Sequence, residues 1–144
     1  MCGISAVYRY TAITDEDVSR VERMNDQMRY RGPDGEGYWH DEHCAMGQVR
    51  LSIIGLQNGK QPIYNHDKSL VLVCNGEIYN YRELRKVVAA KGYECATDSD
   101  CEVILYLYEI YGLDCVNHLR GMFAFCLYDT RKQQLVIARD RIGE

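Results

Sequence analysis

The order in which hydrophobic periodicity changes along the chain limits its fold more than any other feature. The opening stretch CGISAVYRY reads as a strand, and a helical period takes over from about Asp15 to Tyr30. There Val18, Val21, Met24 and Met28 share a face, and Thr14 with Asp17 three residues on makes a capping box. RGPDGEG (31–37) then breaks the chain, since its glycines and Pro33 cannot continue a helix. From Glu36 to Asn75 short strands alternate with turns: GYWH, AMGQVRLSII and LVLVCN. Helical spacing returns twice. One segment starts near Asn80 with Glu83 three residues later, buries Leu84, Val87 and Val88, and stops at Gly92. The next starts at Ser99, capped with Glu102, and shows Val103, Ile104, Leu107, Tyr108 and Tyr111 on one side as far as Gly112. MFAFCLYD and QLVIAR, joined by TRKQ, close the chain as a hairpin. Regular βαβ alternation cannot give this order. It predicts one α+β domain over 1–144, a sandwich with antiparallel sheets.

The bulk composition permits such a core and excludes several function classes. A chain of 144 residues with 47% hydrophobic content can bury a real interior. Charges of both signs are interspersed and the net charge is −4, so neither a nucleic-acid footprint nor a polybasic membrane anchor is present. The longest apolar run, Met122 to Tyr128, is far too short to span a bilayer. The N-terminus shows no basic region followed by an apolar run, so no signal peptide is expected. Seven scattered cysteines without a CxxC pair predict reduced thiols and a cytoplasmic protein.

The chemistry begins at Cys2. If Met1 is removed, this residue carries the free α-amine beside its own thiol. A thiol with a reference pKa of about 8.5 needs a base, and an α-amine near about 8 can act as one. On that pair alone an ordinary N-terminus is the simpler reading. Asn75 and Gly76 follow an apolar strand, and an amide and an N–H at a strand end can aim two donors at one oxyanion. By local rules the dipeptide is more simply a hairpin turn. Arg50 stands in an apolar strand, where its guanidinium suits a carboxylate as well as an internal ion pair. Asp100 at a helix start and Glu77 could hold an ammonium group, although a dipole-complementing acid and a turn residue are the plain alternatives. Taken together, these groups describe an α-amino acid with a reactive side-chain carbonyl. Glutamine fits.

Eight segments then resemble one family in order along nearly the whole chain: MCGI, RGPDG, RLSII, QPIYN, NGEIYNYRELR, SDCEVILYLYEIYG, LRGMFAFCLYD and ARDRIG. They are similar to the glutaminase domain of glutamine-dependent asparagine synthetases, among the class II glutamine amidotransferases. The resemblance implies an N-terminal-nucleophile hydrolase with a four-layer αββα sandwich of two antiparallel sheets. It implies Cys2 as nucleophile, its freed amine as base, and Asn75 and Gly76 as oxyanion hole. Arg50, the backbone of Leu51, Ser52, Ile53 and Ile54, and Glu77 and Asp100 would bind L-glutamine, with Asn75 and Gly76 also touching it. No metal or cofactor is expected in this domain; ATP and magnesium belong to a synthetase domain that the family carries beyond ARDRIGE. No phosphate-cradling glycine motif occurs here, so synthetase activity is not expected from this chain.

Departures from the family are Gln48 and Val49, where basic residues are usual, and Gly55 in place of an aspartate. A synthetase domain is the expected partner, and an apolar former interface leaves a homodimer open. Three rivals remain. A papain-like pairing could draw on His40, His43, His66 or His118, none in a local signature. A metal module could use His40, His43 and Cys44 of HDEHC, without a fourth ligand at zinc spacing. A catalytically silent glutamine-binding or interaction domain would result if Met1 stays in place.

Overall fold

A computed structural model describes residues 1–53 and 57–143. Strand β1 (Gly3–Tyr8) leads into helix α1 (Asp15–Met28), then β2 (Gly35–His40), β3 (Cys44–Arg50), the short β4 (Ile63–Tyr64) and β5 (Leu70–Ile78). Helix α2 (Tyr81–Ala90), a 3₁₀ turn (Asp100–Glu102), α3 (Val103–Tyr111) and a second 3₁₀ segment (Gly112–His118) precede the hairpin of β6 (Gly121–Asp129) and β7 (Gln134–Arg139). The strands form two antiparallel sheets, ordered β1-β3-β2 and β4-β5-β6-β7.

Alternation along each strand decides what lies between the sheets. Cys44 and Met46 of β3 meet Val71 and Val73 of β5 and Cys126 and Tyr128 of β6, with Ile4, Ala6 and Tyr8 of β1 packed beside them. The other side of the second sheet (Leu72, Cys74, Phe123, Phe125, Leu127) packs on α2 and α3. On the far side of the first sheet α1 approaches β3 so closely that a Cβ at Gly47 would lie 2.8 Å from both Val21 Cγ1 and Asn25 Oδ1. The layers are therefore helix, sheet, sheet, helices, as the sequence led one to expect. Among the described residues no helix is long and apolar enough to cross a membrane.

The Thr14 capping box is present, with the Thr14 hydroxyl accepting from the Asp17 N–H and the Asp17 carboxylate from the Thr14 N–H. Arg9 grips the same carboxylate with both Nε (2.6 Å) and Nη2 (2.8 Å), which holds Asp17 well below the usual carboxylate range. Elsewhere the local rules misplace detail. Helix α1 stops at Met28 rather than Tyr30, and Met24 is exposed while Asn25 is buried. Asn80 makes no side-chain cap on α2; its amide instead accepts from the Arg120 N–H and donates to the His118 carbonyl, both at 3.0 Å. Val87 faces outward, leaving Leu84 and Val88 to anchor α2. Glu102 does not reach back to Ser99 either. Fully buried, it receives the N–H groups of Ala96 (2.6 Å) and Thr97 (2.7 Å) and the Thr97 hydroxyl (2.5 Å).

The largest local correction concerns Asn75-Gly76. No turn occurs there: β5 runs on to Ile78, with Asn75 opposite Ala124 and Gly76 opposite Phe123. A Cβ at Gly76 would collide with the Met122 carbonyl and lie 2.6 Å from Phe123 Cα, so the glycine serves close approach of β6 rather than chain reversal. In the HDEHC segment, Asp41 Oδ1 accepts the N–H groups of His43 (2.8 Å) and Cys44 (2.9 Å), which makes it a polar turn between β2 and β3. No cluster of three metal-ligating side chains is found among the described residues.

Candidate active site

The inner faces of the two sheets converge at one end on a small cleft of about 90 Å³. The same alternation that builds the core selects its lining. Arg50 follows Met46 and Gln48 along the inner side of β3, and Asn75 and Glu77 follow Val71 and Val73 along β5. Cys2 stands two residues ahead of inward-packed Ile4. All four line the cleft, together with Leu51, Ile53, Gly76 and Asp100. Of the other residues expected to bind substrate, Ser52 turns its N–H to Asp34 Oδ2 (2.8 Å), and Ile54 lies outside the described residues.

Cys2 is half-buried. Its sulfur accepts the Leu51 N–H at 3.3 Å, and its thiol reaches the Leu51 carbonyl at 3.6 Å. Arg31 donates from Nε to the Cys2 carbonyl at 3.3 Å, which fixes the chain terminus from the other side. Two residues of RGPDG thus frame the site without any role legible in the sequence. Besides Arg31, Asp34 holds the strand end, its N–H bonding to the Arg50 carbonyl at 2.9 Å while its carboxylate takes Ser52. Both ladder partners run out here, Gly3 opposite Val49 and Gly35 opposite Arg50, and β3 ends at Arg50 instead of running to 54.

The edge of β5 shows how a backbone donor is kept for the cleft. Cys74 directs its N–H and C=O away from β6, the N–H donating to Gln61 Oε1 at 2.6 Å and the carbonyl accepting from Gln61 Nε2 at 3.0 Å. Ile78 directs its N–H the same way, to Asp100 Oδ2 at 2.6 Å. Because strand groups alternate every second residue, the Gly76 N–H points to that side too, between Gln61 and Asp100 and toward the cleft. The Asn75 side chain projects from the next position into the same space.

Charge is divided within the cleft. Arg50 is almost wholly buried at 8% exposure, and Asp100 at 5%. Burial raises the Asp100 carboxyl above its usual range, and the N–H bond from Ile78 works against that rise. Arg85 supports the segment ahead of Asp100 by donating from Nη2 to the carbonyls of Thr97 (2.6 Å) and Ser99 (2.9 Å).

Comparison with known proteins bears directly on this arrangement. The family model of the glutamine amidotransferase domain matches residues 1–144. The chain belongs to the glutamine amidotransferase domain family. This amidotransferase domain is 46% identical over 143 residues to the glutamine-hydrolysing asparagine synthetase of Zea mays, covering 99% of this chain and 24% of that protein. Against asparagine synthetase 1 of Bacillus subtilis the identity is 44% over 145 residues, covering 99% and 23%. The chain therefore spans about a quarter of the length of these curated relatives. Among solved structures it is similar to the glutamine phosphoribosylpyrophosphate amidotransferase of B. subtilis bound to ADP and GMP. That match has a TM-score of 0.57 and 26% identity, covering 69% of this chain and 24% of the other. The N-terminal-nucleophile architecture and the asparagine synthetase branch expected from the motifs both agree with these likenesses.

Sequence reasoning missed Gln61, Arg31, Asp34 and Cys74 at the candidate site. QPIYN and RGPDG marked two of these segments, but nothing in residue type said which groups they would grip. Cys74 faces the helix layer, where the Cys101 thiol lies 3.0 Å from its sulfur.

Proposed function

We propose that this domain hydrolyses L-glutamine to glutamate and ammonia through a glutamyl thioester on Cys2, and that the ammonia feeds a synthetase domain in a longer protein. What supports the reading is one juxtaposition: the thiol of Cys2 and the Asn75 and Gly76 donors share a cleft with Arg50, Glu77 and Asp100. A guanidinium and two acids match the carboxylate and ammonium of an amino acid, and the sulfur with its donors matches the side-chain amide.

The steps follow from these groups. Removal of Met1, which is 59% exposed at the cleft, frees the Cys2 amine. The neutral amine takes the thiol proton, and sulfur attacks the amide carbon. The amide oxygen gathers negative charge facing the Asn75 amide and the Gly76 N–H. Collapse of the tetrahedral species expels ammonia, which leaves with the proton held on the amine. Water, deprotonated by the same amine, then attacks the thioester carbonyl, releasing glutamate and the Cys2 thiolate, which recovers the proton held on the amine. No metal or cofactor takes part in this sequence; ATP and magnesium are assigned to the synthetase domain, with aspartate as the first acceptor to test.

The test has two parts, intact mass to establish whether Met1 is gone and a coupled assay of glutamate release. The processed chain should turn over glutamine, and Cys2→Ser should not. Turnover in Cys2→Ser equal to the parent would refute the mechanism. A chain that keeps Met1, binds glutamine and releases no glutamate would establish the silent binding domain instead.

A further inference from the structure

We propose that Gln61 is the positioning residue of the oxyanion site: its side chain ends the β ladder one donor short and so reserves the Gly76 N–H for substrate. This rests on the glutamine-hydrolase reading above and adds a residue to it. Strand β4 covers β5 only opposite Val71 and Leu72. Had the chain before Ile63 continued as strand, main-chain groups would pair with Cys74 and then with Gly76, consuming the donor. Instead one amide side chain satisfies both Cys74 groups, at 2.6 and 3.0 Å, and extends no further.

Two further features make Gln61 a rigid stop. Its main chain is wedged against β2 of the other sheet, where a Cβ at Gly37 would overlap the Gln61 carbonyl and lie 2.9 Å from its carbonyl carbon. Gln61 thus ties the two sheets across the cleft it lines. The Cys74 carbonyl it holds also shares a peptide plane with the Asn75 N–H, so the grip fixes the orientation at which Asn75 enters the site. A carboxylate in its place would lose the donor to that carbonyl and set negative charge beside the developing oxyanion.

Gln61→Leu and the isosteric Gln61→Glu are compared with the parent chain in glutamine turnover, in inhibition by L-glutamate and by L-glutamate γ-semialdehyde, and in amide hydrogen exchange. The aldehyde forms a tetrahedral adduct with the thiol, whereas glutamate does not. In both variants kcat should fall by about 10²-fold, the scale of a reacting group displaced by about 1 Å. Glutamine KM and glutamate inhibition should hold, while aldehyde affinity falls along with kcat. Unchanged kcat in both variants, or equal weakening of glutamate and aldehyde, overturns the proposal. Exchange is read separately: in Gln61→Leu the Cys74 N–H should lose protection while Ile78, held by Asp100, keeps it. Retained Cys74 protection also overturns the proposal. A parent chain without turnover would overturn the hydrolase reading alone, and the exchange result would still decide the Gln61 geometry.

Discussion

Adding one methyl group at Gly76 separates the two jobs of this position. A Cβ there sits 2.6 Å from Phe123 Cα and 2.8 Å from Phe123 Cβ, where ordinary contact begins at 3.4 Å, and the Met122 carbonyl blocks it as well. Two of these obstacles are backbone atoms of β6, so no side-chain rotation relieves them. Gly76→Ala must therefore part β5 from β6 locally by roughly 1 Å, a displacement that costs about 10²-fold when it falls on a reacting geometry. Overpacking of this kind costs about 1–3 kcal/mol, which for a domain of this size lowers Tm by roughly 2–12 °C. The expected result is a folded protein with modestly reduced Tm by circular dichroism and kcat reduced by about 10²-fold or more in the coupled assay. Glutamine KM should move less, because of the three charged binding groups only Glu77 shares β5, while Arg50 and Asp100 lie on other elements. Parent-like kcat together with parent-like Tm would refute the argument, since it would mean that β6 does not press on Gly76.

Asp100→Asn separates stability from binding. Burial raises the Asp100 pKa on folding, so the folded chain binds this proton more tightly than the unfolded chain does. That contribution favours the folded state as pH falls through the raised value, and above it the buried charge is a cost. The variant should thus equal or exceed the parent in Tm at pH 7 while glutamine KM rises at least about tenfold; a lower Tm at pH 7 or an unchanged KM would contradict this. Glu102→Ala leaves the Ala96 and Thr97 N–H groups without their acceptor and should cost at least about 3 kcal/mol in urea unfolding. Thr14→Ala removes the α1 cap and should cost about 1 kcal/mol with kcat unaltered. Glutamate release should persist after exhaustive chelation and without ATP, and dependence on either would contradict the proposed chemistry.

Periodicity made the antiparallel α+β sandwich legible and the family resemblance its four-layer order, while the hairpin of β6 and β7 and the Thr14 cap follow from strictly local chemistry. The inward set Cys2, Arg50, Asn75 and Glu77 was legible as residue types, and strand alternation explains why they meet. What local rules could not supply was partner choice. Asn-Gly reads as a turn until β6 is seen to need a glycine opposite Phe123. Asn80 and Glu102 look like caps, but their side chains find better partners in the Arg120 and Thr97 segments. Gln61 is silent in sequence because its function depends on a strand that stops short, and a missing neighbour leaves no trace in residue type.

The most direct test is covalent. A glutamine-like diazoketone, which alkylates the thiol that attacks the glutamine amide, is incubated with the chain, and the adduct is located by peptide mass spectrometry. The account predicts one equivalent on Cys2 in chains that have lost Met1, with glutamate release lost in proportion to labelling. An adduct on any other cysteine, or full activity remaining after Cys2 is labelled, would contradict it.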